Sequence, residues 1–276
     1  MDQFVPSNSI VRKVWGNTDV TLFIFAGAAA EFALNKEVDW LYFTGKLPAD
    51  PIGRLFSTVT YAQRIIFNPY DKSIHAIKNI NAIHQGVEHN RGRKIPGEAY
   101  LDVLYMLIHY SISAFELLER KLGAEEKNEM IHTFSRIGSE MNLNSIPETY
   151  GDWVNSYQLH LANNLAYSRY TADLFRQYRK HLGWFRYFLL LEIQRMTVTP
   201  QVNSLLHLGR PRIAHLLLIP YRWIRKFRWH RWLIYLMIPA RFKKQFNAMD
   251  AMNSRSTSEE DKFTREAGSQ SRNSDN

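Results

Sequence analysis

The chain reads as an all-α protein, a helical bundle with one polar, charged end. Three observations predict this. Apolar residues recur at steps of three and four with little strand-type alternation. Pro and Gly cut the chain into segments of roughly 10–20 residues, the ordinary helix range. Hydrophobic residues make up 45% of the 276-residue chain, enough for a sizeable core.

The punctuation falls at Pro48 and Pro51, Pro69, Pro96-Gly97, Gly123, Pro147, Gly183, Pro200, Gly209, Pro211, Pro220 and Pro239. Thr21–Leu34 is apolar but carries Glu31, and it falls short of the roughly 18 residues of a membrane span. Its length suits a buried core helix. Asp71 precedes a stripe of Ile74, Ile77, Ile80, His84 and Val87. Tyr100–Leu118 is apolar on nearly every side, which predicts a helix at the centre of a bundle. Thr149 and Asp152 form a loose capping box for a further helix through Tyr157 and Leu161. The division expected from composition is an N-terminal arm over 1–17, a helical domain over 18–204, a basic amphipathic helical segment over 205–251 and a disordered tail over 252–276.

There is no cysteine, which excludes disulfides, thiolate-bound metals and cysteine nucleophiles. Any metal must rely on His, carboxylates or other non-thiolate ligands. The N-terminus lacks the apolar core and cleavage site of a signal peptide. Together these predict a cytoplasmic location. The formal charge of +9 is local: Ile193 to Met249 contains no Asp or Glu but eleven Lys and Arg. Within it, Arg222, Arg225, Lys226, Arg228 and Arg231 interleave with Tyr221, Trp223, Phe227, Trp229 and Trp232. Trp at headgroup depth beside cations suits an anionic membrane surface, here the inner face, contacted peripherally through 205–247. A hairpin packed on the bundle with a solvated basic face is the alternative. A nucleic-acid groove fits poorly, because LLLIP and LIYLMIP are too apolar to track phosphates.

Three histidines sit in apolar surroundings: His84, His89 and His109. Each alone reads as a core histidine bonded to a carbonyl or carboxylate. His84 lies on the buried stripe. His89 lies about 140° further round the helix, so the two cannot form an HExxH-like pair. Arg54 and Thr58 share a half-buried face at i,i+4, and a buried arginine needs an anion. Pairing with Asp50 would supply one, as would a cofactor carboxylate. A di-iron bundle needs two Glu-x-x-His motifs. Only Glu129 to His132 has that spacing, on a charged helix. GxSxG, Walker A and GxGxxG patterns are absent, which removes support for hydrolase, NTPase and Rossmann readings.

In order and spacing, these residues resemble the catalytic-domain family of MpaB oxygenases and the rubber oxygenase called latex-clearing protein. The quoted segments are Val14-Trp15-Gly16, Arg54-Leu55-Phe56-Ser57-Thr58, His84-Gln85-Gly86-Val87-Glu88-His89, Ile108-His109-Tyr110-Ser111, and Pro147 through Asp152 to Tyr157. The resemblance implies a globin-like helical bundle enclosing haem b. It implies His84 as the iron ligand, Arg54 and Thr58 as polar residues facing the haem, and His89 and His109 as further histidines close to it. Arg54, Thr58 and His109 are then the candidate catalytic groups. The implied activity is a dioxygen-using oxygenase on a hydrophobic, isoprenoid or lipid-like alkene. Rubber enzymes carry lysine where Ser57 stands, arginine near Asn81 and arginine where Glu88 stands. Those departures argue against rubber and for a smaller lipid. The competing expectation is a non-catalytic helical lipid-binding protein that keeps the fold without cofactor. Aromatics Phe56, Tyr61, Phe67, Tyr105 and Phe115 would line the pocket or fill the core.

Overall fold

The computed structural model describes residues 2–144, 146–211, 213–226, 235, 238–244 and 247. Among these the secondary structure is almost wholly helical, and the only β pairing is two isolated bridges. Twelve α-helices are described, and they run in chain order as α1 (Ile10–Trp15), α2 (Thr18–Phe32), α3 (Asp39–Phe43), α4 (Lys46–Ala49), α5 (Pro51–Phe67), α6 (Tyr70–Arg91), α7 (Gly97–Leu118), α8 (Ala124–Glu140), α9 (Tyr150–Asn164), α10 (Arg169–Thr197), α11 (Pro200–Leu206) and α12 (Ala214–Lys226).

The core is the pairing of α2 with α7. Both bury residues round most of their circumference, as their largely apolar composition dictates. They approach closely because Gly27 has no side chain: a Cβ there would stand 2.3 Å from the Tyr110 ring. α7 is also the one described helix long and apolar enough to cross a membrane, and most of it is buried in the bundle. The notches between helices carry defined caps. Asp50 accepts from the Gly53 amide at 3.1 Å, with Pro51 opening α5. Thr149 accepts from the Asp152 amide at 3.2 Å and opens α9. Gly92 closes α6 at φ 69°, a left-handed position that favours glycine.

Two boundaries differ from the sequence expectation. The N-terminal arm is core: Phe4, Val5 and Trp15 are buried, and the Trp15 indole donates to Ser111 of α7 at 3.1 Å. α6 opens at Tyr70, one residue before the expected Asp71. At Gly183 the expected punctuation is present: its non-helical φ 74°, ψ 170° separates two helical stretches of α10 that meet at a kink. The basic segment begins inside α11 and includes α12. Its residues Phe227, Arg228, Trp229, Arg231 and Trp232, with Arg212 and the expected tail over 252–276, lie outside the described residues.

α12 is inverted in character. Its polar side faces the bundle: Tyr221 donates to Asp19 at 3.0 Å, and Arg225 pairs with Asp19 and, at 2.6 Å, with Glu119. Its apolar side faces out, with Leu216 77%, Ile219 66% and Trp223 63% exposed. The i, i+3, i+7 spacing of those three makes one continuous face.

Candidate functional site

α5 and α6 lie side by side and carry the residues singled out in the sequence. Up to Ile77, α6 buries Ser73, Ala76 and Ile77; none of its described residues beyond that is fully buried. His84 nevertheless points inward. Its Nδ1 is shielded from solvent and has no hydrogen-bond partner. Burial lowers its pKa, the nearby Arg54 charge lowers it further, and Glu88 opposes both weakly. The imidazole is therefore neutral near pH 7, the form in which histidine binds a metal. The ring packs edge-on against Tyr100 of α7, centroids 5.0 Å apart.

Arg54 is half-buried and faces His84 from α5. Thr58 sits one turn on, exposed, its hydroxyl donating to the Arg54 carbonyl at 3.1 Å. His89 is exposed near the end of α6. Phe56, Tyr105 and Phe115 are buried in the core, while Tyr61 and Phe67 are half-buried. Glu88 closes the α6–α7 loop, accepting from the Ile95 amide at 2.9 Å and the Tyr100 hydroxyl at 3.4 Å. Asn81 donates to the Glu140 carbonyl at 3.4 Å. The two departures from the rubber-enzyme pattern on α6 thus bond to backbone groups of this fold.

His109 is not brought to His84. It lies nine residues after Tyr100, which is half a turn round α7 on an ideal helix, so it points the other way. A backbone bond with Thr197 favours its protonated form and is outweighed by burial, which pushes its pKa down to about 4. Nε2 has no partner, so the bond to Thr197 comes from Nδ1. The neutral ring therefore carries its proton on Nδ1 and keeps a lone pair on Nε2.

Sequence reasoning did not anticipate the polar knot behind His109. The Glu31 carboxyl accepts from the Tyr157 hydroxyl at 2.6 Å and the Tyr110 hydroxyl at 2.9 Å. Burial raises its pKa to about 7; the two tyrosine bonds oppose this and the Asp102 charge adds to it. Asp102 in turn accepts from His160 at 2.6 Å, Asn35 at 2.6 Å and Asn164 at 3.0 Å. The only visible signal was one acid inside an apolar run.

Among the described residues no group of three or more His, Cys, Asp or Glu could hold a bare metal ion. Among the described residues the geometry therefore offers a half-buried neutral histidine on α6 near an arginine of α5, rather than a ligand cluster. A family description, "ER-bound oxygenase mpaB/B'/Rubber oxygenase, catalytic domain", matches residues 12–255, and the chain belongs to that family. It is accordingly an oxygenase-type catalytic domain. Comparison with curated proteins and with solved structures gives no match.

Proposed function

We propose that this chain is a haem b-dependent oxygenase acting on a hydrophobic, isoprenoid- or lipid-like alkene, with the iron held by His84. The observation that carries the reading is His84, a half-buried neutral imidazole whose Nδ1 is shielded from solvent and has no hydrogen-bond partner. A porphyrin offers four ring nitrogens and needs only one axial protein ligand, which reconciles one histidine with the lack of a multi-residue metal cluster. Arg54 supplies the cation for a cofactor carboxylate. Its charge also disfavours protonation of His84, so the ligand stays available over a wider acidic range.

Haem would supply dioxygen activation there; the chain binds, orients and excludes water. Tyr100 fixes the His84 ring from one edge. Thr58 is a hydroxyl near the Arg54 side of the site. The exposed apolar face of α12 lies on the anionic-membrane reading: Leu216, Ile219 and Trp223 enter the interface while the cations of the segment meet lipid headgroups. The "ER-bound" of the family description supports a membrane-peripheral setting. The test is haem stoichiometry after expression with haem supplied. One haem per chain is expected; a protein that folds and takes up none is instead a cofactor-free lipid binder.

A further inference from the structure

A cleft lies on the side of α7 that carries His109. Its volume is about 440 Å³, within the range of small-molecule sites. Its wall is apolar, formed by Ile112, Leu117, Trp153, Met196 and Leu218. Its polar lining includes three cations, Lys121, Lys127 and Arg222, against one carboxylate, Glu116. Glu116 bonds Lys121 at 2.8 Å and Lys127 at 3.2 Å. Burial alone would raise its pKa, but the bonds from Lys121, the Leu122 amide and Lys127 hold it below the usual carboxylate range. One fixed negative charge among three positive ones leaves this lining attractive to anions.

Two buried polar atoms of the lining residues have no partner. They are the Trp153 indole nitrogen, on a residue only 2% exposed, and His109 Nε2. Both atoms are shielded from solvent and do not open on the cleft; what the cleft offers a ligand is its apolar wall beside three cations.

We propose that this cleft binds a single-chain amphiphile, its anionic head among Lys121, Lys127 and Arg222 and its chain along Trp153, Met196 and His109. The site stands apart from the His84 reading and does not need haem. α12 forms one side of it through Leu218 and Arg222, while Leu216, Ile219 and Trp223 face away. The same helix therefore borders the cleft and presents an outward apolar face.

The test is calorimetric titration of the full chain with decanoate, decanol and decyltrimethylammonium, all below their aggregation limits. One decanoate per chain is expected, bound roughly tenfold tighter than decanol, as a charge-assisted contact allows. The cationic amphiphile should bind weakest. Lys127→Gln and Lys121→Gln should each weaken decanoate severalfold and leave decanol unchanged. Met196→Trp should fill the cleft and remove binding of both. Equal affinity for decanoate and decanol, absence of binding, or decanoate binding indifferent to both lysine variants and to Met196→Trp would each overturn the assignment. The lysine variants alter exposed or partly exposed side chains, so they keep the test decisive if Met196→Trp fails to fold.

Discussion

The two halves of this bundle are finished differently. Where α2 packs on α7 the interior is closed: Tyr110 and Tyr157 satisfy Glu31, and Gly27 lets two helices touch. Along the second half of α6 the packing is more open: no described residue after Ile77 is fully buried, and His84 keeps a bare nitrogen. Packing density and satisfied polar groups carry stability. A half-buried stripe with an orphaned imidazole contributes little to stability and is where a bound group would be accommodated. The comparison teaches that the stabilising residues and the proposed cofactor residues are largely different sets.

That separation can be broken first at the glycines and acids of the closed half. Glu31→Gln should have the largest effect, and it should depend on pH. The folded pKa lies above the ordinary value, so the carboxyl stabilises the fold fully below about 4.5 and that contribution is lost as pH rises through about 7. Urea unfolding of the wild type should therefore weaken on the alkaline side, by up to roughly 3 kcal/mol for that size of shift. The amide variant should flatten that loss and be the more stable protein at pH 9. A wild type equally stable at pH 5 and pH 9 would count against a buried, protonated Glu31.

Gly27→Ala should come next, destabilising by about 2–3 kcal/mol in the same assay, because the Tyr110 ring is fully buried and has nowhere to move. On the acid side, His109 must stay neutral in the fold. Its depressed pKa makes stability fall as pH drops from about 6.5 toward 4, and His109→Gln should reduce that slope. The smallest effect belongs to the open half. A Cβ at Gly86 meets nothing within 4 Å, so Gly86→Ala should stabilise the haem-free protein by about 0.5–1 kcal/mol through helix propensity alone. If Gly86→Ala destabilised as much as Gly27→Ala, the contrast between the halves would collapse.

The sequence made local features legible and long-range ones opaque. The α7 helix was readable from its apolar run, the caps at Asp50 and Thr149 from residue type, and the inward position of His84 from a stripe at steps of three and four. The integration of the first residues was not, because the Trp15 contact that anchors them is with Ser111, 96 positions away. Glu31 was visible as an acid in an apolar stretch, but its tyrosine partners stand 79 and 126 positions on. The parting of His109 from His84 depended on where α7 presents its two sides to neighbouring helices, which no local pattern encodes. The inverted α12 escaped for a similar reason: Tyr221 and Arg225 turn toward the bundle because Asp19, some 200 residues earlier, is their partner.

The central claim concerns His84, and one spectroscopic comparison tests it most directly. Wild type and His84→Ala are each titrated with haem while the Soret band and helical circular dichroism are followed together. The account predicts a saturating Soret band in the wild type and its loss in the variant, with the helical signal and urea midpoint nearly unchanged. A variant that binds haem with the same spectrum and affinity would place the iron on another residue and contradict it.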